Sequence, residues 1–262
     1  MIHFLKKGLY PLFEFIKSKN YRKYLRLVFC SKKINRIYGK KFETNNIKSF
    51  LNQYYMIFYK ESYFFDTPDI PLIIDCGANI GLSNLYFSKL YPNSKIISFE
   101  ADPSIYEMCK KNLITQNITN VELINEAVSI SNSYQTFYSK IGDDGSLSKV
   151  NGATSIDVKT KRLRDVLVQK KKVHYLKIDI EGAETEVVLD IKDQLTKVEN
   201  LFIDFHPMIN QKKQSLAKIV SCLEELNFWY RITPEYELKG TERKYWNQTY
   251  LSYSIIARKN IN

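Results

Sequence analysis

Apolar residues along this chain fall into two registers. Short apolar runs begin at Leu72, Lys95, Val121, Val173 and Asn200, in LIID, KIISFEAD, VELINEAVS, VHYLKIDIEGAE and NLFIDFHP, and each meets an acid or a histidine near its end. Runs of that length without polar alternation predict strands covered on both faces, as in a parallel sheet. Between them the spacing becomes helical, at Leu82, Leu85, Tyr86 and Leu90, then at Ile105, Met108, Leu113 and Ile114 behind Pro103, and later at Leu216, Ile219, Val220, Leu223 and Leu226. Leu163, Val166, Leu167 and Val168 predict a short helix, and Ala183 to Val188 opens another with Glu184 and Glu186 in its first turns, where the helix dipole favours acids. Two β runs around 228–233 and 249–259 close the chain. Strands alternating with helices predict an α/β fold with a mostly parallel sheet.

The first quarter of the chain reads differently. Leu5, Leu9, Leu12, Phe13 and Ile16, then Tyr24, Leu25, Val28 and Phe29, lie at helical spacing among lysines and arginines, with Pro11 limiting the first helix. Residues 47–65 are dense in aromatics, which predicts core or an interdomain contact before a stacking platform for bases or sugars. Two prolines and two aspartates at 66–71 mark a boundary. The expected organisation is a basic helical N-terminal extension, residues 1–65, and a main domain, residues 66–262.

Charge sharpens that division. The 262 residues carry a net charge of +11, and residues 1–65 hold 14 Lys and Arg against three acids, leaving 25 of each sign for the remainder. A basic helical face of this kind packs on the domain behind it, lies on an anionic membrane surface, or steers a phosphorylated acceptor toward the site. Nucleic acid is disfavoured, because the basic residues form no recognisable binding motif. Cys30, Cys76, Cys109 and Cys222 are too scattered for a metal motif and too few for a disulfide framework. Free thiols, no apolar run of membrane-spanning length and no signal-peptide pattern make a cytoplasmic protein the expectation, with peripheral membrane contact through residues 1–65 as an extension of it.

The chemistry gathers at the strand ends. Asp75 stops the first run, and Gly77 and Gly81 bracket Ala78, Asn79 and Ile80, a turn tight enough to bring backbone close to a ligand. Glu100 follows Gly81 by 19 residues, near the spacing of about 20 at which nucleotide-binding folds set an acid for ribose hydroxyls. A dehydrogenase would need G-x-G-x-x-G, and the second glycine is missing. Asp179 ends another run at the edge where ligands sit in open α/β sheets. His206 ends the run at 200–207 and is a candidate general base against the commoner structural use of a lone histidine.

Asp75, Gly77, Asn79 and Gly81 resemble the cofactor loop of class I S-adenosylmethionine-dependent methyltransferases, an acid followed by G-x-N-x-G. With DCGANIG, FEAD and NEAVS, the string LKIDIEGAE resembles the hallmark of the FkbM family across about residues 70–258. The resemblance implies a Rossmann-like sheet with an antiparallel terminal strand. It also implies S-adenosylmethionine bound by Asp75, Gly77, Ala78, Asn79, Gly81, Glu100, Ala101 and Asp102, with Asn125, Glu126 and Ala127 along the adenine. Asp179, Glu181 and His206 are the expected catalytic set, and Asp179, Asp204 and His206 the candidate ligands of a divalent ion. O-methylation of a sugar, nucleotide sugar or glycan or natural-product precursor is the leading activity the resemblance implies. The competing reading is a nucleic-acid- or membrane-binding module that uses the sheet as scaffold.

Overall fold

The computed structural model describes residues 34–139, 145–146, 154–207, 212–234 and 252–259. The expectations for the basic helices at 1–30 and for Cys30 lie outside those residues.

Seven strands form the central sheet. They are β3 (Leu72–Cys76), β4 (Lys95–Phe99), β5 (Val121–Ile124), β10 (Val173–Ile178), β11 (Val198–Phe205), β12 (Phe228–Pro234) and β13 (Tyr253–Lys259), in the order β12-β13-β11-β10-β3-β4-β5. The five strands from β11 to β5 are parallel, whereas β13 runs antiparallel to both β11 and β12. Register puts Lys177 beside Asp75 and Ile178 beside Cys76, so the ends of β3 and β10 are level.

Alternation along the strands sends side chains to two cores. Ile74, Ile97, Leu176, Ile178, Leu201 and Ile203 face helices α4 (Leu163–Val168), α5 (Glu184–Asp190) and α6 (Leu216–Glu225), which supply Leu167, Val188, Ile219 and Leu223. Ile73, Ile96, Tyr175 and Phe202 face the other way, toward α2 (Leu82–Leu90), which supplies Leu85 and Phe87. That second core is completed from residues 34–65. Here the hairpin β1 (Ile34–Ile37) and β2 (Lys40–Glu43) leads into α1 (Ile47–Tyr54) and a π-helical turn at Tyr55–Tyr59. Phe42, Phe50, Tyr54, Phe58, Tyr63 and Phe65 are buried there. The aromatic density at 47–65 is therefore core, not a stacking platform, and packing crosses the boundary expected at residue 66.

Two expectations are corrected. VELINEAVS is not one strand. It breaks at Asn125, whose Nδ2 donates to the carbonyls of Glu100 and Ala101 at 2.9 and 3.2 Å, and β6 (Ala127–Ser129) leaves the central sheet to pair with β9 (Thr154–Arg162). A second sheet, β6-β9-β7-β8, results, with β7 (Tyr134–Ser139) and β8 (Gly145–Ser146). The residues ahead of α4, where the apolar pattern predicts no strand, form the nine-residue strand β9.

Candidate active site

The loop after β3 is held from beneath. Asp75 is fully buried, its Oδ2 accepts from Ser83 Oγ at 2.6 Å, and its Oδ1 lies 3.4 Å from Lys177 Nζ. Burial pushes its carboxyl up against the pull of Lys177 and Ser83. Asp75 thus shapes the loop from the protein side. The two glycines differ from expectation in what they make room for. A Cβ on Gly77 would sit 2.0 Å from the carbonyl oxygen of Asp179, and one on Gly81 would sit 3.0 Å from Cys109 Sγ. The close approach they permit is of the β10 turn and of helix α3 (Pro103–Gln116). Ala78 is buried between, against Cys109 and Leu113. Asn79 adopts the left-handed region at φ 49°, and its Oδ1 accepts from the Ile80 N–H.

Glu100, at the end of β4, takes both N–H groups that flank the opening. Oε2 accepts from Asn79 N at 2.8 Å and Oε1 from Asp102 N at 2.9 Å. Burial raises its carboxyl to about 7 against those two hydrogen bonds, with Asp102 adding to the rise. A carboxylate joined to the loop, short of cationic partners and with lone pairs remaining, suits a pair of ribose hydroxyls. Asp102 is placed otherwise: Oδ1 caps α3, accepting from Ser104 N at 2.8 Å and Ile105 N at 3.3 Å. Ala101 is partly buried, Ala127 packs with Phe137 and Val158, and Glu126 pairs with Lys159.

The turn after β10 carries the second cluster. One ligand atom from each of Asp179, Glu181 and His206 lies within 4.8 Å of the others. Glu181 replaces Asp204 in the set expected to hold a metal; among the described residues Asp204 does not join the cluster. Glu181 stands at φ 54°, a left-handed non-glycine position before Gly182, and strain of this kind gathers where function needs it. His206 Nε2 is 3.6 Å from Glu181 and Nδ1 is 3.2 Å from Glu184. Burial, the largest influence, pushes the imidazole down, but Glu181, the Glu184 hydrogen bond and Asp204 outweigh it and hold the ring well above its ordinary value.

Two residues that matter here had been given no chemical role. Glu184, read as a dipole acid, is fully buried and accepts from Gly182 N at 2.9 Å and from Gln214 Nε2 at 2.6 Å, so the histidine rests on a fixed carboxylate. Lys177, only 2% exposed, donates to the Gly77 carbonyl at 2.8 Å and lies 3.1 Å from Asp179 Oδ2. Burial pushes its ammonium down, yet Asp179 and Asp75 raise it well above its ordinary value, so it is charged. The Tyr63 ring stands 5.9 Å from Nζ. A lysine at full depth in a parallel strand was the available signal, since the type is almost never buried unpaired.

A parallel sheet with acid-bearing turns at the carboxyl ends of β3, β4 and β10 defines a Rossmann-like methyltransferase fold. Residues 75–230 match the Methyltransferase FkbM domain, and the chain belongs to that family. Its domain is of the S-adenosylmethionine-dependent class. Among relatives, it is 30% identical to Methyltransferase sdnD of Sordaria araneosa over 48% of this chain and 62% of that one. It is 28% identical to Methyltransferase 1 of Beauveria bassiana over 74% of this chain and 83% of that one. It is 26% identical to 2-O-methyltransferase NoeI of Sinorhizobium fredii over 53% of this chain and 65% of that one. The chain thus spans less than two thirds of the length of two of these three relatives.

Proposed function

We propose that this protein transfers the methyl group of S-adenosylmethionine to a hydroxyl of a sugar, nucleotide sugar or glycan precursor. The observation that carries the reading is the convergence of two chemically different clusters on one rim: the Glu100–Asn79 pair on the donor side, and Asp179, Glu181 and His206 on the reaction side. The name of the 2-O-methyltransferase relative supports a hydroxyl acceptor. When bound, S-adenosylmethionine supplies an electrophilic methyl group.

The chain's task is then to hold donor and acceptor in line and to receive the hydroxyl proton. Glu100 and the Asn79 backbone fit the ribose, and Asn125 keeps the Glu100 turn in place. Asp179 and Glu181 take up the proton, and the cationic His206 ring, held between Glu181 and Glu184, orients them. Proton uptake of this kind contributes about 10²–10⁴-fold. Calorimetry with S-adenosylhomocysteine, together with mass spectrometry of sugar acceptors for one added methylene, tests the reading. H206Q is expected to keep the affinity for S-adenosylhomocysteine and lose about 10²-fold or more in rate. No binding by the unsubstituted protein rejects it.

A divalent ion is the second reading of the same cluster. Two carboxylates and one imidazole nitrogen within 4.8 Å form a donor set that suits a hard or borderline cation, which would lower the hydroxyl's pKa. Glu184 behind His206 resembles the carboxylate that orients a metal-binding histidine. Titration with manganese(II), read by calorimetry or paramagnetic resonance, is expected to show a site that the double variant D179N/E181Q loses. The basic excess in residues 1–65 supports attraction of a phosphorylated acceptor or an anionic surface. Weaker co-sedimentation with anionic vesicles as salt rises would place the surface first.

A further inference from the structure

Lys177 is a buried group that touches both the donor loop and the reaction-side turn. Its ammonium reaches three acceptors from different parts of the site: the Gly77 carbonyl in the donor loop at 2.8 Å, Asp179 at 3.1 Å and Asp75 at 3.4 Å. Two further observations tie these same two turns together. The Asp179 N–H donates to the Cys76 carbonyl at 3.0 Å, and a Cβ on Gly77 would strike the Asp179 carbonyl. Tyr63 closes the remaining side, its ring packed edge-on against Phe202 at 4.8 Å. A charge enclosed this way has no water to turn to, so what one partner releases the others must absorb.

We propose that Lys177 is a positioning residue that couples the two halves of the site, so that its contact with the Asp179 side chain sets how firmly the donor loop is held through the Gly77 carbonyl. The inference rests on the donor site proposed above. The ammonium is shared between the Asp179 carboxylate and the Gly77 carbonyl. Where the Asp179 side chain is replaced by an amide, the ammonium moves toward Asp75, the other carboxylate in reach, and its hydrogen bond to the loop weakens. Coupling of this kind is reciprocal, so donor binding alters the acceptor side by the same factor.

The test is a double-mutant cycle read by S-adenosylhomocysteine affinity, in chelator so that no cation acts at Asp179. D179N is expected to weaken binding about tenfold when Lys177 is present and less than about twofold in K177M, with K177R recovering part of the effect. Support that is merely structural lowers the melting temperature and leaves the D179N factor equal in the two backgrounds, and that result overturns the proposal. So does a D179N factor below about twofold in the otherwise unsubstituted protein. If K177M loses its cooperative melt, K177Q takes its place in the cycle, since it keeps a polar group at that depth without the charge shared with Asp179 and Asp75. Failure of the unsubstituted protein to bind S-adenosylhomocysteine overturns the donor site and this inference together, whereas binding with equal factors overturns the inference alone.

Discussion

Glu100 shows what one residue's surroundings do to the behaviour of the site. Its carboxyl rises from 4.5 to about 7 on folding, so its contribution to stability is full below 4.5 and is lost as the pH rises through about 7. Donor binding has the opposite sign, because the ionised form is the one that accepts two hydroxyl hydrogens. Affinity for S-adenosylhomocysteine is expected to rise about tenfold from pH 6 to pH 8. In E100Q it should be weaker and nearly flat over that range, which calorimetry at three pH values checks. Acids that end strands, such as Asp75, Glu100 and Asp179, were legible in the sequence because a strand-terminal carboxylate beside a glycine turn is a local pattern. Lys177 and Glu184 were not. Lysine in LKID reads as an edge charge, and Glu184 reads as a dipole acid, until register and packing show what surrounds them.

Elements explain why the turns are where they are. Gly77 lies between the ends of β3 and β10, which the parallel register brings level. G77A adds a carbon 2.0 Å from a backbone oxygen at φ 93°, so two strand ends would have to part. The expected cost is about 3 kcal/mol or more, measured by urea unfolding. G81A should cost less, about 1 kcal/mol, because its nearest neighbour is the Cys109 side chain, which can give way. Strand and helix positions in the main domain followed from periodicity. The break at Asn125 did not, since Asn125 and Glu126 read as the polar end of a single strand. Only the hydrogen bonds of its side chain to the β4 turn reveal that the chain changes sheet there.

At the scale of the whole molecule, residues 34–65 are one wall of the second core. Phe50 stands against Phe42 and Tyr54, and Phe65 stacks on Tyr175 of β10 at 5.0 Å. A chain beginning at residue 66 would leave that sheet face bare, a far larger apolar patch than monomers tolerate. It is expected to aggregate or to lose its cooperative thermal transition, which scanning calorimetry checks against the full chain. The aromatic density was visible in the sequence, but what it covered was not, because pairing across more than a hundred residues leaves no local trace. The second sheet has a consequence for how such a protein diversifies. Strands β7 and β9 pair from Tyr134 with Lys159 to Ser139 with Thr154, in a sheet separate from that of β3, β4 and β10. Lengthening a loop costs only about 0.6 kcal/mol per doubling. Length changes in the chain between β7 and β9 are therefore expected to leave the register of the seven-stranded sheet as it is, so the two sheets are free to evolve at different rates.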